Sequence, residues 1–81
     1  MSAPEPQSAA ALPAAARVRL RVFDVRGRMI RTLVDGLRPA GTNQATWDGR
    51  DNTGRRVASG TYYARLIADG QVSVRTLVLV K

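Results

Sequence analysis

Cysteine and histidine are both absent from the 81-residue sequence. Without cysteine the chain forms no disulfide and offers no thiolate ligand to a metal ion. Without histidine it lacks the commonest metal ligand and the side chain that most often transfers protons near neutral pH. These two absences exclude most enzyme chemistry, and we expect a non-catalytic domain with no metal or cofactor site.

Long apolar runs and aromatic side chains are scarce as well. No apolar stretch approaches the ~20 residues that a transmembrane helix needs. The N-terminus lacks the charged start and apolar centre of a signal peptide. With one Trp, one Phe and two Tyr, the chain has too few aromatic rings for a sheet that binds nucleic acid by stacking bases. At this length it holds one domain, near the lower size limit for a core without disulfides or metals.

Basic residues, by contrast, are abundant. Thirteen Arg and Lys residues against six acids give a formal net charge of +7. This excess predicts a weak, non-specific attraction to polyanions. The candidate contacts are Arg17, Arg19 and Arg21. A solvated outer sheet face, which resists edge pairing, is the favoured interpretation of this stripe.

The first 16 residues differ in composition from the rest. They contain three of the four prolines and almost no large apolar side chain, so burial cannot offset the entropy of ordering them. We therefore predict a disordered lead or linker over 1–16, in which residues 9–12 are at most the remnant of a first strand. The folded domain is predicted over 17–81.

From Arg17 onward the apolar residues follow a period of two. This alternation predicts half-buried strands over 17–23, 28–34, 42–48, 60–68 and 71–81, with a connecting loop over 35–41. The dipeptide Asp69-Gly70 is a strong hairpin signal between the last two strands. Trp47 is the best candidate for the centre of the core. The predicted core residues are Val18, Leu20, Val22, Trp47, Tyr62 and Leu66.

A polar, glycine-punctuated loop separates Trp47 from the strand that contains Tyr62. Asp and Asn side chains accept hydrogen bonds from nearby backbone N–H groups, and glycine adopts positive φ without strain. The residues predicted to shape this loop are Asp48, Gly49, Asp51, Asn52, Gly54 and Gly60. The alternative is a Ca²⁺ site formed by Asp48, Asp51 and Asn52. Their spacing is not that of an EF-hand, and arginines flank them, so turns are favoured.

These motifs also occur in a known family, and the match runs from about residue 18 to residue 81. The matching residues are Val22-Phe23-Asp24 with Gly27-Arg28, Thr32-Leu33-Val34, Ala40-Gly41, Trp47-Asp48-Gly49 with Asp51 and Gly54, and Ala58-Ser59-Gly60 with Tyr62. In this order they resemble the C-terminal immunoglobulin-like domain of the flagellar hook-capping protein FlgD. They are similar also to the C-terminal sorting domains of type IX secretion cargo.

The resemblance implies an immunoglobulin-like or fibronectin III-like antiparallel β-sandwich. The Asn-Pro motif that usually precedes the first strand of this family is not found here, so that strand is expected to be incomplete. The main functional expectation is a sorting, anchoring or structural module of a longer exported parent, located outside the cell or on its surface. Its partners would be export or surface machinery, or other domains of the parent. The alternatives are a hook-capping scaffold domain that binds hook subunits and a weak polyanion-binding module.

Overall fold

The structure is a computed structural model that describes the backbone of residues 7–80 and the side chains of residues 11–80. The strands are β1 (Gln7–Leu12), β2 (Ala16–Phe23), β3 (Met29–Arg38), β4 (Gly41–Thr46), β5 (Gly60–Ala68) and β6 (Gln71–Leu79). They form a two-stranded sheet, β1-β4, and a four-stranded sheet in the order β3-β2-β5-β6, both antiparallel. Over the described residues there is no helix. The predicted all-β sandwich is confirmed.

The centre of the large sheet is β2, which pairs with β3 on one side and β5 on the other. Its residues alternate between a buried apolar face and an arginine face, as the period of two predicts, and on the arginine face Arg17 and Arg19 are exposed while Arg21 is half-buried. The hairpin from β5 to β6 turns at Asp69 and Gly70, which adopt φ of 51° and 76°. Two consecutive positive φ values are typical of the type I′ turn, which suits the twist of paired strands.

The first strand corrects one prediction. Gln7–Leu12 pairs with β4 along its full length, from Gln7 opposite Thr46 to Leu12 opposite Gly41. The expected disorder over 1–16 is therefore wrong for residues 7–12, while residues 1–6 lie outside the described residues. The physical reason is that backbone pairing with β4 satisfies the main-chain polar groups and does not require large side chains. Leu12, at the end of β1, adds a buried apolar side chain.

The third strand also differs from its prediction, because β3 continues through most of the loop expected at 35–41. This polar part of the strand pairs with the start of β2, where Asp35 lies opposite Arg19 and Leu37 opposite Arg17. A cross-strand pair of opposite charges favours this extension. Two register shifts interrupt the same pairing, between Leu20 and Arg21 and between Val22 and Phe23.

The core lies between the sheets. Its fully buried large side chains are Trp47 and Val22. Around them pack Leu20, Tyr62, Ala64, Leu77 and Leu79. Val18 is buried as well, whereas Leu66 is only partly buried and packs against the edge of this cluster.

Candidate functional site

The loop after β4 is anchored in the core by two aromatic side chains. Trp47 is 0% exposed, and its ring meets that of Tyr62 edge to face, with centroids 4.9 Å apart. The indole Nε1–H donates to the carbonyl of Arg50 at 2.9 Å. The Tyr62 hydroxyl donates to the carbonyl of Ala58 at 2.6 Å, and burial raises the pKa of this phenol. Each ring thus binds one end of the loop backbone as well as filling the core.

Between these anchors the loop folds back on itself as a miniature hairpin. Val57 N–H donates to the Gly49 carbonyl at 3.0 Å, and Asp51 N–H donates to the Arg55 carbonyl at 2.9 Å. Arg50 and Arg56 form an antiparallel bridge between these two bonds. The loop therefore has regular backbone pairing that its polar, glycine-rich sequence did not reveal.

Asp51 closes the tip of this miniature hairpin. Its Oδ1 accepts the Thr53 hydroxyl at 2.6 Å, the Thr53 N–H at 2.9 Å and the Arg55 N–H at 3.0 Å. These donors stabilise the ionised carboxylate, chiefly through the Thr53 hydroxyl, and lower the pKa of Asp51. Gly54, with φ of 88°, reverses the chain beneath it. The three hydrogen bonds of Asp51 fit the predicted turn-shaping role.

Asp48 lies at the base of the hairpin among positive groups. Its Oδ1 accepts the Arg50 N–H at 3.1 Å and lies 3.7 Å from Arg31 Nη1, while its Oδ2 lies 4.0 Å from Arg50 Nε. Two guanidinium groups in these positions oppose the approach of a cation. Over the described residues, no cluster of three or more acidic or other metal-binding side chains occurs.

Gly49 fixes the base of the loop against the end of β6. Its φ is 76°, and a Cβ placed there would lie 3.2 Å from both methyl carbons of Leu79. Only glycine combines this conformation with such a close approach. Gly60, the last predicted loop-shaping residue, is exposed and begins β5 with φ of 153°.

Asn52 has a role that the sequence did not indicate, because it covers the open edge of β3. Its N–H donates to the Ile30 carbonyl at 3.1 Å, and its Oδ1 accepts the Thr32 N–H at 3.0 Å. Arg31 supports the same contact by donating from Nη1 to the Asp51 carbonyl at 3.2 Å. The loop thus serves as a short substitute strand at one edge of the large sheet.

Asp24, in the turn between β2 and β3, was also not among the predicted site residues. Its Oδ1 accepts the backbone N–H groups of Arg26 and Arg28, each at 2.9 Å, and its Oδ2 lies 3.1 Å from Arg28 Nε. The Arg28 backbone bond is the main reason why the pKa of Asp24 is lowered. An Asp three residues before a glycine is a typical turn signal.

The outer face of the large sheet is basic. Three arginines of β2 point outward, and they alternate with the buried Val18, Leu20 and Val22. The three are Arg17, Arg19 and Arg21. Arg65 of β5 lies opposite Arg21 and its guanidinium is 5.8 Å from the centre of the Phe23 ring. Arg75 of β6 does not extend this stripe, because it lies opposite the buried Ala64 and so shares the inner side of the sheet.

The β6 end of that outer face is apolar instead. Val72, Val74 and Val78 are 57%, 60% and 62% exposed. They alternate with the inward residues of β6, and Val74 lies opposite Arg65. Tyr63 of β5 is 37% exposed on the same face. Three exposed valines on one strand, with Thr76 between the second and the third, mark this edge as a candidate interaction surface.

A cavity of about 280 Å³ opens between the β1–β2 connection and the inner face of β5 and β6. Alanine side chains form much of its lining, and its ionisable side chains are Asp69 and Arg75. Over residues 11–80 no ion pair joins these two groups, and no hydrogen bond joins either of them to Ser73, which also lines the cavity. The lining therefore offers no nucleophile paired with a base.

Comparison with known proteins points to one family. The family model of the FlgD Ig-like domain matches residues 5–71. Among solved structures, the crystal structure of FlgD from P. aeruginosa is similar, with a TM-score of 0.67 and 27% sequence identity over 90% of this chain. This chain spans 58% of the length of that structure. No curated protein matches the sequence. Over the described residues, no helix is long and apolar enough to span a bilayer.

These findings correct the main functional expectation. Both matches are to FlgD, and neither is to a type IX sorting domain, so the interpretation as a sorting or anchoring module of a secreted protein is wrong. The location expected for such a secreted or surface-bound parent is corrected on the same ground. The match covers most of the chain, including both strands of the small sheet and the whole Trp47 loop. The chain belongs to the family of FlgD Ig-like domains.

Proposed function

We propose that this chain is a domain of a flagellar hook-capping scaffold and that it acts by binding protein subunits during hook assembly. The observation that carries this proposal is the family match over residues 5–71, supported by a FlgD structure of the same fold at 27% identity. The matched family is one of structural scaffolds, not of enzymes. Binding of proteins is therefore the kind of activity to expect.

The geometry supports this role in two ways. The loop around Asp51 is fixed by its own backbone pairing and by Trp47, so it forms a rigid end of the domain. The outer face of the large sheet is open and carries both arginines and valines. A rigid domain with one broad mixed face is suited to contact another protein, since interfaces combine an apolar centre with a polar rim.

The test is made in the gene that encodes the full-length parent. A Trp47→Ala variant removes the fully buried anchor of the domain, and we expect loss of hooks in electron micrographs and loss of swimming. Leu37→Ala, at a position that is 75% exposed, is the matched control and should leave hooks intact. Immunoblots must show that the parent protein remains abundant. The purified Trp47→Ala domain is checked separately for loss of folding. If it is unfolded and cells that carry the variant still build normal hooks, the scaffold role is refuted.

A further inference from the structure

The strand β6 forms an open edge of the large sheet. Its nine residues pair with β5 on one side in continuous register, from Gly60 opposite Leu79 to Ala68 opposite Gln71. Within residues 7–80 no strand or loop hydrogen-bonds to its other side. Every second N–H and C=O group of β6 therefore points away from the sheet, without a protein partner in the described part of the chain.

The opposite edge of the same sheet is protected. Asn52 covers β3 through two hydrogen bonds, two register shifts distort its pairing, and the strand ends at Arg38 before a proline. Natural proteins use such devices to prevent unwanted strand pairing. The sequence of β6, by contrast, has no proline, no register shift and a single charged residue, Arg75. This difference indicates that the β6 edge is left open for a partner.

The two sides of β6 determine which side chains an added strand would meet. On the outer side it would lie beside Val72, Val74 and Val78, which are all exposed. On the inner side it would lie beside Ser73 and Arg75, which are exposed, and beside the buried Leu77. Directly opposite residues in paired strands are about 5 Å apart at Cβ, close enough to form a specific pair. A strand that complements β6 would therefore have apolar residues beside the valines and an acidic residue opposite Arg75.

Charge decides between a different protein and a second copy of this chain. The outer face carries Arg17, Arg19, Arg21 and Arg65. Its only acid among the described residues of these strands is Asp35, which is already opposite Arg19. The chain has a formal net charge of +7, so a second copy paired through β6 would place another basic sheet beside this one. An acidic partner gains attraction where a second copy meets repulsion.

We propose that the β6 edge accepts an extended segment of an acidic partner protein, which adds a fifth strand to the large sheet. Main-chain hydrogen bonds would supply affinity, while the valine row and Arg75 would select a strand of alternating valine-like and acidic residues. The inference deepens the proposed scaffold role, and it rests on that role only in taking the partner to be a protein.

The test is an NMR titration of the ¹⁵N-labelled 81-residue chain with a blocked nine-residue peptide in which valine alternates with glutamate. We expect shifts at the β6 amides and, at every second one, slower exchange with D₂O, because alternate N–H groups would gain acceptors. The control peptide has lysine in place of each glutamate and should bind much less. Raising NaCl from about 50 to about 500 mM should weaken binding of the glutamate peptide, because salt screens the charges.

Three variants distinguish binding at the β6 edge from non-specific binding. Val74→Gln puts a polar amide in the valine row without changing the charge, and should weaken binding of the glutamate peptide by about fivefold or more. Leu37→Gln makes the same kind of change near the opposite, protected edge and should leave binding unchanged. Arg75→Glu should reverse the preference, so that the lysine peptide becomes the better ligand. Each variant must retain the dispersed amide spectrum of the folded chain.

Several results would overturn the inference. The first is that the β6 amides do not shift at millimolar concentrations of the glutamate peptide. The second is that both peptides bind equally well. The third is that Val74→Gln and Leu37→Gln weaken binding to the same extent. Concentration-dependent dimers that pair through β6 would show that the occupant is a second copy. If the domain binds the peptide but cells build hooks without the parent protein, only the scaffold role is refuted. If hooks are lost as expected but the domain does not bind the peptide, only the strand-accepting edge is refuted.

Discussion

The loss of the Trp47 side chain is the most direct test of how this fold is held together. Trp47 is 0% exposed, packs edge to face on Tyr62 and donates its indole N–H to the Arg50 carbonyl. Replacing a buried Trp by Ala typically costs about 3–5 kcal/mol. The whole stability of an 81-residue domain is about 4–12 kcal/mol by the usual range per residue. We therefore expect Trp47→Ala to remove a large part of the stability of the domain, and to leave it unfolded at about 25 °C where that stability lies at the lower end of this range.

A graded series makes this expectation quantitative. For a domain of this size, about 1 kcal/mol corresponds to a Tm change of roughly 4–8 °C, so Trp47→Ala should lower Tm by at least about 12 °C. Trp47→Phe keeps a ring beside Tyr62 but loses the indole donor, and should cost less than the alanine variant. The assay is urea and thermal unfolding followed by far-UV circular dichroism, because the chain has no second Trp to report fluorescence.

The exposed Leu37 supplies the control, since Leu37→Ala should change the free energy of unfolding by less than about 0.5 kcal/mol. A Trp47→Ala variant that loses less than about 1 kcal/mol would refute the central role of this side chain. Equal losses for the Phe and Ala variants would instead show that the hydrogen bond to Arg50, and not ring packing, dominates.

Three further outcomes follow from the loop and the basic face. The pKa of Asp51 is lowered in the folded state, so its contribution to stability is present above the unfolded pKa of about 3.9 and is lost as pH falls through the folded value. Asp51→Asn should therefore lower the free energy of unfolding at pH 7. Measured by urea unfolding, the free energy of the variant should also fall less steeply than that of the wild type as the pH is lowered. Asp48→Asn should leave Tm unchanged with Ca²⁺ or with chelator, and a calcium-dependent rise in wild type alone would identify a metal site. On a heparin column, the chain should elute before the salt concentration reaches ~0.5 M, and a variant with Ser in place of Arg17, Arg19 and Arg21 should elute earlier still. Retention of the wild-type chain above ~0.5 M salt would contradict purely electrostatic contact.

Local patterns in the sequence were sufficient for most of the strands. The alternation of Val18, Leu20 and Val22 with arginines, and the Asp69-Gly70 turn, predicted β2 and the last hairpin because period and turn chemistry are properties of neighbouring residues. Trp47 was predicted at the centre of the core because it is the largest apolar side chain at an inward position, and the structure places it there.

Features that depend on distant partners were not predicted. The alanine-rich β1 is a strand because β4 supplies its backbone partners, and no side chain of residues 9–11 signals that pairing. Arg75 follows the same alternation as its neighbours, but its side of the sheet is set by the register of β6 against β5. The sequence around Asn52 is typical of an ordinary loop, although Asn52 hydrogen-bonds to Thr32 and Ile30, which lie 20 and 22 positions earlier in the chain.

The strand order β3-β2-β5-β6 also has a consequence for how the chain reaches this structure. Two hairpins, β2-β3 and β5-β6, are each closed by short turns, so they can form early from local contacts. Within the four-stranded sheet the two hairpins are joined by the pairing of β2 with β5, which brings together Val18 and Ala68, fifty positions apart in the sequence. Closing so long a loop costs entropy before any contact offsets it, and folding rates fall as contacts become less local. We expect the docking of the two hairpins to limit the folding rate, with Trp47 reaching its buried position only as they meet.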